Sequence, residues 1–129
     1  YYAADREFWG LHLGRGGSGR STARCRLHET AQLLHYEAAD AGRYSWHMDQ
    51  GLRGASSLRK LSLTVQLSDP AAYDGGDLEI ELGRERVVMP RTAGAGILFP
   101  SYILHQVTPV TRGQRFALVV WFLGCGPFQ

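Results

Sequence analysis

The sequence predicts an all-β jelly roll, cupin-like in architecture, and three observations lead there. Past residue 29 the chain breaks into short apolar segments separated by turn residues, at the spacing of a sandwich or barrel. One segment alternates strictly: Leu61, Leu63, Val65 and Leu67 are interleaved with Lys60, Ser62, Thr64 and Gln66, the period of a strand with two unlike faces. The segments number about eight, the jelly-roll count. Little helix is expected.

Taken in order, residues 1–13 carry Phe8, Trp9, Leu11 and Leu13 but do not hold a helical period for long. The following run, Gly14 to Ser21, is rich in glycine and arginine and reads as a flexible loop, one able to act as a lid. It has no strand before it and no helix after it, so phosphate cradling is not expected there. Strands are expected at 30–37, 43–49, 58–68, 77–82, 86–89, 95–99, 102–108 and 114–123. Pro70 and Gly75-Gly76 interrupt the pattern, and Gly83-Arg84-Glu85 makes a short connection. A hairpin closed by Pro109 to Gly113 would set His105 and Arg115 on adjacent antiparallel strands. In a sandwich that encloses a polar site, the polar face of the 58–68 strand would turn inward.

The bulk numbers narrow the function classes. A chain of 129 residues with 44% hydrophobic content suits one domain with a real core. A net charge of +2, with scattered arginines, gives no footprint for nucleic acid. No apolar run approaches the roughly 18 residues that cross a bilayer, and no signal-peptide pattern opens the chain, so a cytoplasmic protein is expected. Cys25 and Cys125 have no metal-type spacing and read as free thiols of a reducing compartment. Because the chain opens on Tyr1, it reads as a fragment or a processed product.

The chemistry gathers at Trp46-His47-Met48-Asp49, at Ser101-Tyr102-Ile103-Leu104-His105, and at Arg115. Residues two apart on a strand share a face, so His47 and Asp49 can offer an imidazole and a carboxylate to one ion. His105, from a distant strand, completes two histidines and a carboxylate, the set that non-haem Fe(II) oxygenases use while leaving coordination positions open. Arg115 begins an otherwise apolar strand and needs a partner, which a carboxylate would supply through two parallel hydrogen bonds. Trp121 shares its face and either walls the same pocket or packs in the core. Trp46 points to the opposite face and packs. His12, His28 and His35 read as ordinary surface or packing histidines.

The segments Tyr44 to Asp49, Arg59 to Pro70, Tyr73 to Leu78, and Phe99 to Arg115 together resemble the prolyl-4-hydroxylase-type branch of the 2-oxoglutarate and Fe(II)-dependent dioxygenases, above all its bacterial and phage hydroxylases. The resemblance covers about residues 30 to 124. It implies a double-stranded β-helix, iron held by His47, Asp49 and His105, and Arg115 on the distal carboxylate of 2-oxoglutarate. By the same resemblance Tyr36 helps to hold the cosubstrate and Ser62 is a small hydroxyl residue near that carboxylate. Gln66 stands where relatives often have tyrosine, and arginine stands where collagen-type enzymes have lysine as the anchor. Asp49 argues against the halogenating branch, which lacks this carboxylate.

One catalytic domain over 1–129 is expected: an N-terminal segment 1–29 outside the resemblance, a core 30–124 and a tail 125–129. The resemblance implies a hydroxylase using Fe(II), 2-oxoglutarate and O2, with room for ascorbate, and releasing succinate and CO2. The partner is a small-molecule, peptide or protein substrate, with neither nucleic acid nor membrane involved. Two other readings remain open: a cupin-like module that binds a metal or ligand without turnover, and an Fe(II) enzyme that needs no 2-oxoglutarate. Both leave Arg115 unexplained.

Overall fold

In the computed structural model, residues 29–124 are described, and they form nine strands in two antiparallel sheets. The strands are β1 (Gln32–Glu37), β2 (Tyr44–His47), β3 (Arg59–Gln66), β4 (Tyr73–Gly75), β5 (Leu78–Leu82), β6 (Glu85–Val88), β7 (Gly96–Pro100), β8 (His105–Val107) and β9 (Val110–Leu123). The major sheet runs β1-β9-β3-β7, with β4 also paired to β9, and the minor sheet runs β2-β8-β5-β6. Helix is confined to short 3-10 turns at Ala38–Asp40, Ala55–Leu58 and Pro70–Ala72. This is the double-stranded β-helix that was expected.

Each expected strand is present, though several are shorter, and β4 is additional. Its sequence reads as a turn because Gly75 and Gly76 both sit at positive φ (69° and 64°). A Cβ on Gly75 would collide with the Pro109 carbonyl, so glycine is what lets β4 approach the start of β9.

Two positional expectations are corrected. The strand expected at 43–49 stops at His47, and Asp49 lies in a bend beyond it, so the pair does not share a strand face. Nor do His105 and Arg115 lie on adjacent strands: β8 belongs to the minor sheet and β9 to the major one. Pro109 has no N–H to continue β8 pairing. Val110 N–H then donates to the Gly42 carbonyl, and its strand pairs with β4, carrying the chain across the sandwich.

The inward turn of the polar face of β3 is observed. Lys60, Ser62, Thr64 and Gln66 are buried, whereas Leu67, just past the strand, is 45% exposed. Between the sheets, Tyr36, Tyr73, Leu78, Ile80, Ile97, Phe99, Val107 and Val110 form one apolar cluster. Large side chains of this kind contribute about 1.5–3 kcal/mol each when fully buried. That cluster fixes the two sheets against each other and leaves the polar site at its flank. Residues 1–28 and 125–129, and with them Cys25, Cys125, His12, His28, the apolar residues near the N-terminus and the glycine and arginine run, lie outside the described residues.

Candidate metal and carboxylate site

His47 ends β2 and His105 begins β8, and the two are direct partners in the register of those strands. Their ring centroids lie 4.2 Å apart. Asp49 reaches them because the bend after β2 is held at two points. Gln50 N–H donates to the Ser101 carbonyl (2.9 Å), and Arg59 Nη1 donates to the Asp49 carbonyl (3.0 Å). Arg59 is itself fixed by a two-pronged pair with Glu29 (2.9 and 2.8 Å) and lies over the Trp121 ring at 3.8 Å.

Asp49 Oδ1 stands 3.4 Å from His47 Nε2 and 3.6 Å from His105 Nε2. One ligand atom from each residue fits within a 4.8 Å cluster. The far side of each imidazole is committed: His47 Nδ1 donates to the Ser45 carbonyl at 2.7 Å and His105 Nδ1 to the Ile103 carbonyl at 2.9 Å. A carbonyl only accepts, so each Nδ1 carries a proton and each ring turns its Nε2 toward the cluster, where a deprotonated Nε2 would offer its lone pair to an ion. The second oxygen of Asp49 accepts from Ser62 Oγ at 2.6 Å.

These contacts set the protonation states. Burial pushes the Asp49 carboxyl up, but hydrogen bonds from His47 and Ser62 and the nearby His105 together outweigh it, and its pKa falls to about 2. The Trp121 indole N–H lies close enough to act in the same direction, although it satisfies no hydrogen-bond geometry. Burial is also the main influence on His105, and it holds that imidazole below its ordinary value, favouring the neutral form that binds metals.

Arg115 faces the same cleft from the major sheet, opposite Tyr36 in the β1–β9 register. It is 1% exposed. Nη2 donates to Gln66 Oε1 at 2.9 Å, while Nε and Nη1 are buried without a hydrogen-bond partner. Gln66 is oriented in turn, since its Nε2 donates to the Pro90 carbonyl at 3.1 Å. The Tyr36 ring lies 5.2 Å from the guanidinium carbon, and burial raises the Tyr36 hydroxyl against the opposing pull of Arg115. Gly76 makes room for the stem, because a Cβ there would come within 3.0 Å of Arg115 Cδ.

The cleft is lined by His47, Asp49, His105, Arg115, Tyr36 and Trp121 among others. Six of the eight residues singled out in the sequence thus share it. Ser62 and Gln66 lie behind its wall. The register sets Ser62 opposite Trp121 and brings it to Asp49, away from Arg115, while Gln66 backs Arg115 directly. Sequence reasoning missed Thr64, which lines the cleft between them, and Tyr44, whose ring lies 3.9 Å from that of His47. The alternation of β3 already puts Thr64 on the inner face; nothing local in the sequence marks Tyr44. His35 is a packing histidine, stacked on Phe116 at 4.3 Å, and Trp46 carries Arg86 over its ring outside the cleft.

A PKHD-type hydroxylase of Teredinibacter turnerae is 44% identical over 92 residues, and one of Hyphomonas neptunium is 46% identical over 83. The matches cover 68% and 60% of this chain but only 41% and 36% of those proteins, so the chain spans well under half of the relatives it matches. Among solved structures, a Pseudomonas putida prolyl-4-hydroxylase is similar with a TM-score of 0.62 and 26% identity, over 74% of this chain and 51% of that one. A Trichoplax adhaerens prolyl hydroxylase, solved with a hypoxia inducible factor peptide fragment, shares the fold with a TM-score of 0.65 at 17% identity, over 79% of this chain and 47% of its own. The sequence profile of the 2OG-Fe(II) oxygenase superfamily matches residues 31–123, nearly the whole described region and both halves of the cleft, and the chain belongs to that superfamily.

Proposed function

We propose that the chain is the Fe(II)- and 2-oxoglutarate-binding core of a hydroxylase, with His47, Asp49 and His105 as the metal ligands and Arg115 as the anchor for the distal carboxylate. The observation that carries this reading is Arg115. A buried guanidinium whose neighbours among the described residues are all uncharged, the Gln66 amide and the Tyr36 ring and hydroxyl, is costly unless a ligand completes it. Arg115 and the cluster of two imidazoles and a carboxylate line one cleft, and a 2-oxo dicarboxylic acid has a chelating end and a carboxylate end to meet them. A metal module without turnover, or an Fe(II) enzyme without 2-oxoglutarate, gives that arginine no use.

When bound, Fe(II) with 2-oxoglutarate and O2 supplies the oxidising chemistry, releasing succinate and CO2 and placing one oxygen atom in a substrate C–H bond. The chain holds and orients. His47 and His105 present fixed lone pairs, Asp49 contributes charge, and Arg115 with Gln66 and Tyr36 fixes the far end of the cosubstrate. The apolar lining from Leu78, Val107, Ala117 and Val119 limits water around it.

The substrate is a peptide, protein or small molecule; the prolyl hydroxylase solved with a peptide fragment favours the first two. Among the described residues no helix is long and apolar enough to cross a membrane. We take the cytoplasm as the setting.

Anaerobic addition of Fe(II) and 2-oxoglutarate tests the assignment. A weak visible charge-transfer band is expected, and under oxygen, succinate should form with a competent substrate. No band together with no succinate across a broad substrate panel would overturn it.

A further inference from the structure

We propose that Ser62 is a positioning residue that restricts Asp49 to one coordinating oxygen and so keeps an extra position open on the metal. The inference rests on the ligand assignment above. Oδ1 of Asp49 is the oxygen that pairs with both histidine Nε2 atoms, and Oδ2 accepts from Ser62 Oγ at 2.6 Å, the short distance of a hydroxyl donating to a carboxylate. Ser62 has a single proton, and it is committed to Asp49. The 3.0 Å contact between Ser62 Oγ and Ser101 Oγ is therefore donated by Ser101, giving a directed chain from Ser101 through Ser62 to the carboxylate. Both serines are completely buried, so water does not compete for these bonds.

The chain also has fixed ends. Ser62 lies within β3, in the major sheet opposite the histidine strands. Ser101 N–H donates to the Lys60 carbonyl at 3.0 Å, and its own carbonyl accepts from Gln50, next to Asp49, at 2.9 Å. The loop bearing Asp49, the turn before β8 and the centre of the major sheet are thereby locked together around one carboxylate oxygen. A carboxylate that chelates must turn both oxygens to the ion, and Ser62 holds one of them away. On an octahedral ion, that leaves one more position for exogenous donors than a chelating aspartate would.

The test uses Mn(II) as a redox-silent probe with the full chain. Ser62→Ala should weaken Mn(II) binding by about 10–100-fold in calorimetry, the usual effect of removing a partner of a metal ligand. In metal-minus-apo infrared difference spectra, the splitting between the antisymmetric and symmetric carboxylate stretches should narrow, as it does when a carboxylate chelates. Ser62→Thr, which keeps the hydroxyl, should restore the wild-type splitting, and Ser101→Ala should cost less affinity than Ser62→Ala. If Ser62→Ala does not fold, Ser62→Cys keeps the shape with a weaker donor and should still narrow the splitting. Unchanged affinity and splitting in the folded Ala or Cys variant would overturn the role of Ser62 while leaving the ligand assignment standing. Wild-type protein that takes up no Mn(II) would overturn both.

Discussion

The two ends of the cleft are built on opposite principles. At the metal end, the spare atom of each candidate ligand is tied down: His47 Nδ1 to Ser45, His105 Nδ1 to Ile103, and Asp49 Oδ2 to Ser62. At the carboxylate end, Arg115 is deeply buried yet keeps two nitrogens unpaired. The first end is organised in advance; the second is left electrostatically incomplete and, in the function proposed above, would gain its last partners on binding.

The sharpest way to break the contrast is at the metal end. Asp49→Ala or His105→Ala removes a coordinating atom and leaves the other two without a third donor. Metal uptake by calorimetry should disappear over the range that saturates the wild type, and 2-oxoglutarate-dependent succinate release should go with it.

Next in size is the anchor. Arg115→Ala should weaken 2-oxoglutarate binding to the Mn(II) form by roughly 30- to 5,000-fold, reflecting the 2–5 kcal/mol typical of a buried charge pair that loses one partner. Mn(II) affinity should stay within a small factor of wild type. An equal loss at both ends would mean that they are not separable. Unchanged 2-oxoglutarate affinity would mean that Arg115 is not the anchor.

Gln66→Glu sharpens the comparison without deleting anything. It sets a carboxylate where Arg115 now meets a neutral amide, satisfying the arginine internally. Weaker 2-oxoglutarate binding, on the order of 10-fold, should result while Mn(II) binding is retained. Smallest of all should be Tyr36→Phe, which keeps the ring beside Arg115 and removes only the hydroxyl. A loss of no more than the ~1 kcal/mol of one ordinary hydrogen bond is expected in the same titration.

The sequence showed face but not sheet. Alternation in residues 60–67 correctly turned Ser62, Thr64 and Gln66 inward, since a period of two is a local property of the strand. Which strand lies beside which is decided by long-range pairing, and so His105 and Arg115, close in sequence and joined by a turn-like segment, were expected on neighbouring strands when they face each other across the sandwich. The same limit hid β4, where glycines that mark a turn instead permit a close strand contact. His47 and Asp49 were recognised as a pair for an incomplete reason. Their spacing suggested a shared strand face, whereas a bend held by Arg59 and Ser101 brings the carboxylate round. The hydroxyl partner of Asp49, Ser62, is visible as a residue but not as a contact, because a hydrogen bond from a strand to a distant loop leaves no periodic trace.

The direct opposition of His47 and His105 in the β2–β8 register has a consequence for the life of the folded chain. β2 is a four-residue edge strand with an irregularity in its pairing, the kind of element that opens first in local fluctuations. An ion held between those two side chains acts as a clasp on that edge. Amide exchange along residues 44–47 should slow in proportion to metal occupancy while the interior of β9 hardly changes, so starvation for iron would be felt first as fraying and protease sensitivity of one strand, before any loss of the sandwich itself.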